Sequence, residues 1–175
     1  MKKINKNKGI VFWITGLSGS GKTTLAKKIT PEIRKIFGPT VVISGDDIRK
    51  IFKIKGYTKA ERLQLGLKYS KFLKYLTNQK INVVFAVIGL FKKLRSYNKK
   101  NFENYFEIYL KSNIELLEKT SKKQHYKKKS NLVWGKDLKP EFPENSDLIV
   151  NNNFTKSSEE ISKNVLKSIR KIKIK

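Results

Sequence analysis

Residues 16–23 read Gly16-Leu17-Ser18-Gly19-Ser20-Gly21-Lys22-Thr23, and Thr24 follows. Three glycines let the backbone turn tightly, so that successive N–H groups converge on phosphate oxygens. The run before them, Ile10-Val11-Phe12-Trp13-Ile14-Thr15, is apolar and β-branched or aromatic, the pattern of a buried parallel strand. The run after them, Thr24-Leu25-Ala26-Lys27-Lys28-Ile29, reads as the first turns of a helix. A helix N-terminus adds about half a positive charge where the phosphates would lie. Strand, glycine-rich turn and helix together make a complete P-loop. Its backbone, from Gly16 through Ser18, Gly19, Ser20, Gly21 and Thr24, is expected to cradle the phosphates of ATP. Lys22 would reach the β- and γ-phosphates, and the Thr23 hydroxyl would ligate Mg²⁺.

Working outward, the 175 residues make one domain, 1–175, with enough chain for a sizeable core. There is no apolar run near 18 residues, so no transmembrane helix is expected. The basic N-terminus runs into a short strand without a small-residue cleavage site, which argues against a signal peptide. No cysteine occurs; disulfides and thiolate chemistry are excluded, and a cytoplasmic location fits. The formal charge is +26. Lys, Asn and Ile are abundant together while arginine is confined to positions 34, 49, 62, 95 and 170, the pattern of an AT-rich coding sequence. The lysine excess is read that way rather than as a nucleic-acid surface, although it favours encounter with anionic nucleotides. Against that lysine background, an arginine points to bidentate anion recognition, which Lys cannot supply.

Further strands are expected at Thr40–Ile43, Ile81–Val87, Phe106–Leu110 and Asp147–Val150. Helices are expected after the P-loop (interrupted near Pro31), over Ile48–Ile54, Lys59–Asn78 and Asn113–Lys119, and after Ser157, with Ile161, Val165, Ile169 and Ile172 at helical spacing. Thr58 and Glu61 form a capping-box pattern. Residues 120–138 are polar and Lys-rich, without an evident buried face, and read as a lid. Alternating strands and helices predict right-handed βαβ units: an α/β, three-layer nucleotide-kinase-like fold around a five-stranded parallel sheet. Ligands in such sheets bind beyond the carboxyl ends of the strands, which singles out the P-loop, Ser44–Arg49 and Ile88–Arg95. Asp46 follows the second strand and faces the phosphate site. It is the candidate to orient an acceptor hydroxyl, take its proton or ligate Mg²⁺ through water. Asp47 is the fallback, with helix capping its competing role. Tyr57 and Phe91 either stack on a base or pack in the core.

The glycine-rich loop, then Gly45-Asp46-x-x-Arg49, Gly56-Tyr57-x-x-x-Glu61-Arg62, Phe91-x-x-x-Arg95, Tyr105-x-Glu107-x-Tyr109-Leu110, Lys123-x-x-Tyr126 and Pro143-Glu144-x-x-Asp147-Leu148 resemble adenylylsulfate kinase over about residues 8–153. The resemblance implies transfer of the ATP γ-phosphate to the ribose 3′-hydroxyl of adenosine 5′-phosphosulfate. It implies that Arg49 and Arg62 grip the acceptor's anionic 5′ group, that Ile88 and Phe91 line its site, and that Lys123 closes over the transferring phosphoryl group. It also implies a homodimer. Several positions depart from the family. Ser44-Gly45-Asp46 stands where Asp-Gly-Asp is usual, Gly89-Leu90 where Ser-Pro is usual, Leu65 where an Asn is expected, and Thr120-Ser121 replaces an Arg-Asp pair. The second ring of the family's base sandwich falls near Val133, with Trp134 beside it; a phosphoserine at Gly89 is impossible. The run Phe91-x-x-x-Arg95-x-Tyr97-Asn98-x-x-Asn101-x-x-x-Tyr105 is similar instead to kinases encoded with bacterial capsule genes, which phosphorylate the same hydroxyl of cytidine diphosphoramidate. Both acceptors stay open, as does a nucleotide-binding regulator without kinase activity. His125 reads as an exposed lid residue.

Overall fold

The computed structural model describes residues 3–120 and 132–174. In chain order these form β1 (Lys3–Ile4), β2 (Val11–Gly16), α1 (Lys22–Phe37), β3 (Thr40–Ser44), α2 (Gly45–Ile51), α3 (Lys59–Asn78), β4 (Asn82–Ala86), α4 (Lys92–Asn101), β5 (Tyr105–Lys111), α5 (Ile114–Thr120), β6 (Leu148–Asn151), α6 (Ser158–Ile169) and β7 (Lys173–Ile174). Five strands make one parallel sheet in the order β3-β4-β2-β5-β6. β2 is its centre, so the glycine-rich loop leaves the middle of the carboxyl edge. Side chains alternate across β2 into two separate cores. Val11 and Trp13 join Leu65, Tyr69, Leu73 and Leu94 on the α3/α4 face, and Phe12 and Ile14 join Leu25, Ile29, Ile33, Ile161 and Val165 on the α1/α6 face. This is the three-layer arrangement expected of an all-parallel sheet.

The expected strands all form, with ends shifted by a residue or so. The edge strands β3 and β6 are only half covered: Val42 and Ile149 stand in solvent, because an edge strand lacks a second neighbour to bring a covering helix. α3 has the bounds read from the sequence, and its capping box is complete: Thr58 Oγ1 accepts from Glu61 N at 3.2 Å, and Glu61 Oε2 accepts from Thr58 N at 3.0 Å.

Several features differ from the sequence reading. α1 runs straight through Pro31. The proline is exposed, as is Lys27, whose carbonyl would otherwise receive the missing N–H, while Leu25, Ala26, Ile29 and Ile33 hold the other side in the core. α2 begins three residues early, at Gly45, because Ser44 caps it. α4 was not foreseen. Its residues are polar except Leu94, and the buried positions include Arg95 and Asn98, so apolar periodicity had nothing to register. β1 pairs in parallel with β7, joining the two ends of the chain through Lys3↔Lys173 and Ile4↔Ile174.

The segment expected as a lid divides. Residues 121–131, with Lys123, His125 and Tyr126, lie outside the described residues. Residues 132–138 correct the expectation of no buried face. Val133 and Trp134 are buried in the α3/α4 core, Trp134 meets Phe91 edge-on at 4.9 Å, and Trp134 bridges to Leu138 around the turn at Gly135. Asp137 Oδ2 accepts from Val133 N at 2.8 Å and closes that turn.

Candidate active site

The loop from Gly16 to Gly21 needs glycine for specific reasons. Gly16 has φ +150°, and a Cβ there would lie 2.5 Å from the Leu110 carbonyl oxygen on the neighbouring strand. Gly19 (φ +79°) and Gly21 (φ +88°) occupy the left-handed region. Gly21 is the N-cap of α1 and has no capping side chain, so the first N–H groups of that helix stay available to an anion. Lys22 is buried, and its Nζ donates to the Leu17 carbonyl at 2.5 Å and to Ser20 Oγ at 3.5 Å, which folds the ammonium back over the loop.

The loop opens into a cavity of 920 Å³. Of the residues expected at the site, Ser18, Gly19, Gly21, Lys22, Thr23, Thr24, Asp46, Arg49, Tyr57, Arg62, Ile88 and Phe91 all line it. Gly16 and Ser20 do not; both are packed beneath the loop, and Ser20 is fully buried. Lys123 lies outside the described residues.

On the acceptor side, α2 brings Asp46 and Arg49 to the cavity. The capping role of Asp47 is realised: its Oδ2 accepts from Ser44 N at 3.0 Å and from Ser44 Oγ at 2.7 Å, while Asp47 N donates to Ser44 Oγ at 3.1 Å. That engagement leaves Asp46 as the carboxylate of α2 lining the cavity. Arg49 Nη1 donates to the Gly56 carbonyl at 3.0 Å, and its guanidinium lies 4.6 Å from the centre of the Tyr57 ring. Arg62 Nε donates to the Tyr57 carbonyl at 2.7 Å and Nη2 to the Leu132 carbonyl at 2.8 Å, with its guanidinium 5.4 Å from the same ring. Two cations thus flank one exposed tyrosine. Burial, with the Arg49 charge adding to it, pushes the Arg62 guanidinium below its ordinary range. An anion placed between the two would relieve that repulsion.

Part of the lining is apolar: Leu65, Leu94, Phe91, Val133 and Trp134. Phe91 is buried and packed against Trp134, the core role weighed against base stacking, while still facing the cavity. Tyr57, by contrast, is 53% exposed, with both guanidinium groups over its ring. Gly89 sits in the left-handed region at φ +51°, and a Cβ there would come within 3.0 Å of the Trp13 ring, so a serine at this place would be both strained and crowded. The neighbouring Ile88 carbonyl accepts the Thr15 hydroxyl, which pins this turn to the central strand.

Sequence reasoning passed over Tyr69 and Asn152. Tyr69 lines the cavity from α3 and its hydroxyl donates to the Gly45 carbonyl at 3.3 Å. Burial pushes its phenol up to about 12, so it stays a neutral donor. No spacing pattern marks a single tyrosine on a helix that is half core. Asn152 was within reach, since it directly follows β6 and the same rule of strand carboxyl ends applies there. Arg95, Glu107 and Asp147, conspicuous as spaced motifs, build the scaffold instead. Arg95 Nη1 donates to the Glu141 carbonyl at 2.6 Å, its Nε lies 3.8 Å from buried Glu107, and Asp147 Oδ2 accepts from Glu107 N at 2.8 Å.

Among the described residues no group of three His, Cys, Asp or Glu side chains could enclose a metal. Thr23 and Asp46 nevertheless put two oxygen donors on the same cavity. That sparse, oxygen-only set fits Mg²⁺, which takes most of its ligands from phosphates and water.

A central strand with a phosphate loop at its carboxyl end, opening into a cavity that also holds Asp46, Arg49 and Arg62, marks a P-loop kinase, an enzyme that moves a phosphoryl group from ATP to a hydroxyl acceptor. Residues 8–151 match the family described as adenylylsulphate kinase, and the chain belongs to it. It is 32% identical over 168 residues to the cytidine diphosphoramidate kinase of Campylobacter jejuni, covering 94% of this chain and 98% of that one. It is 28% identical to the adenylyl-sulfate kinase of Clostridium kluyveri, covering 87% and 79%. Among solved structures, the Mycobacterium tuberculosis APS kinase CysC in complex with AMPPNP and APS superposes with a TM-score of 0.83 at 23% identity, over 93% of this chain and 98% of that one, a likeness of fold. Among the described residues no helix is long and apolar enough to cross a membrane.

Proposed function

We propose that this kinase transfers the γ-phosphate of ATP to the ribose 3′-hydroxyl of cytidine diphosphoramidate. The observation that carries the reading is one cavity lined both by an intact phosphate loop and by Asp46, Arg49 and Arg62. The similarity to the Campylobacter jejuni enzyme over 94% of this chain and 98% of that one favours the cytidine acceptor, as does the resemblance of the run Phe91-x-x-x-Arg95-x-Tyr97-Asn98 to the capsule-associated kinases. The family match favours adenosine 5′-phosphosulfate as the second reading.

The loop amides and Lys22 hold the triphosphate, and phosphoryl transfer then depends on alignment and charge neutralisation. Thr23, with Asp46 through water, would hold Mg²⁺, which supplies charge neutralisation at the β- and γ-phosphates. Asp46 orients the 3′-hydroxyl and receives its proton. Arg49 and Arg62 bind the anionic 5′ group, and Tyr57 offers a face to the base. The lid role of Lys123 belongs to this reading as well.

Specificity constants measured with both acceptors under saturating ATP test the acceptor. At least a tenfold preference for cytidine diphosphoramidate is expected; a preference for adenosine 5′-phosphosulfate would transfer the reading to the second acceptor. Arg62→Ala is expected to raise the acceptor KM about tenfold or more while the ATP KM stays within twofold, since it removes a charged contact to the acceptor alone. A selective loss of ATP affinity would contradict that placement.

A further inference from the structure

We propose that Asn152 is a positioning residue for the ATP site: it holds the Ser20 carbonyl outward and thereby aims the Gly21 N–H into the phosphate cradle. Asn152 Nδ2 donates to the Ser20 carbonyl oxygen at 3.0 Å across 132 residues of chain. A trans peptide sets its C=O and N–H on opposite sides of one plane. Fixing the Ser20 oxygen towards Asn152 therefore turns the N–H of the same peptide, that of Gly21, the other way. Gly21 lines the cavity and caps α1, the place where an anion meets the loop and the helix N-terminus together.

The peptide has reason to need an external hold. Gly21 at φ +88° and Gly19 at φ +79° are conformations glycine enters and leaves with little steric penalty. Ser20 is fully buried, so its carbonyl cannot turn to bulk water for a partner in place of the asparagine. Asn152 is itself held on both sides. Its backbone N–H donates to the Lys111 carbonyl at 2.8 Å, and its Oδ1 accepts from Phe154 N at 3.1 Å. The second bond also fixes which end of the amide faces Ser20, because only the nitrogen can donate there. A Cβ on Gly21 would sit 3.6 Å from Nδ2, so the asparagine packs directly against the loop. The edge strand β6 thus reaches past β5 to tie the loop that leaves the centre of the sheet.

The test compares Asn152→Ala, which removes the bond, with Asn152→Asp, which keeps the acceptor for Phe154 and sets a carboxylate oxygen against the Ser20 carbonyl. Initial rates are measured with ATP and the acceptor varied separately, beside thermal melting. The ATP KM is expected to rise about fivefold in Asn152→Ala and tenfold or more in Asn152→Asp, with the acceptor KM within twofold of wild type. An ATP KM within twofold of wild type in Asn152→Ala would overturn the proposal. So would ATP and acceptor KM values rising together with a lowered Tm, which would make Asn152 a stabilising residue only. Asn152→Ala decides alone if the aspartate variant does not fold.

Discussion

Lys22→Ala is expected to lower turnover by about a hundredfold or more, with the fold intact. Lys22 emerges from the first turn of α1 and its ammonium is folded back onto the Leu17 carbonyl, inside the loop. In the proposed mechanism it is the cation that would follow charge from the β- to the γ-phosphate as the bond breaks. Its removal leaves the loop amides and the helix N-terminus, which bind a phosphate but do not track the transferring group. The effect belongs mainly in kcat, because the interaction strengthens as charge develops. Melting curves with and without ADP check that the loop still forms; a variant that binds ADP normally and turns over within tenfold of wild type would remove Lys22 from the chemistry.

Asp46→Asn should be comparably damaging, again about a hundredfold. Asparagine fits the same space, so the change isolates the charge. The neighbouring Asp47 cannot take over, since its carboxylate is bound to Ser44 N and Oγ in the cap of α2. Steady-state rates for Asp46→Asn beside Asp47→Asn separate the two. The first should lose turnover at every substrate concentration, and the second should chiefly lose stability through its cap. Near-wild-type turnover in Asp46→Asn would exclude Asp46 as base and as metal ligand.

The donor half of the site was legible from the sequence because every part of it is local. Strand, loop and helix are contiguous from Ile10 to Ile29, and the glycine positions follow from backbone conformation alone. α3 was equally legible, since Thr58 and Glu61 mark its start. Elements whose reason lies in distant chain were not. α4 buries Arg95 and Asn98 against partners on other elements, so its polar sequence shows no helical stripe. The β1–β7 pairing joins residues 170 positions apart. Val133 and Trp134 sit in a Lys-rich neighbourhood whose composition hid their burial. Pro31 was read as a break because proline cannot donate the helix hydrogen bond; that the helix tolerates the loss on its exposed side shows only in the folded chain. The same limit applies to the acceptor half: Arg49, Tyr57 and Arg62 could be named, but their convergence on one ring is a product of the fold.

The most direct test of the kinase reading follows the label from ATP marked at the γ-phosphate into cytidine diphosphoramidate and maps its position in the product. Label on the ribose 3′-oxygen, formed in step with ADP, is the predicted result. ADP released with label only in inorganic phosphate, or ATP bound with no label transferred to either acceptor, would contradict it.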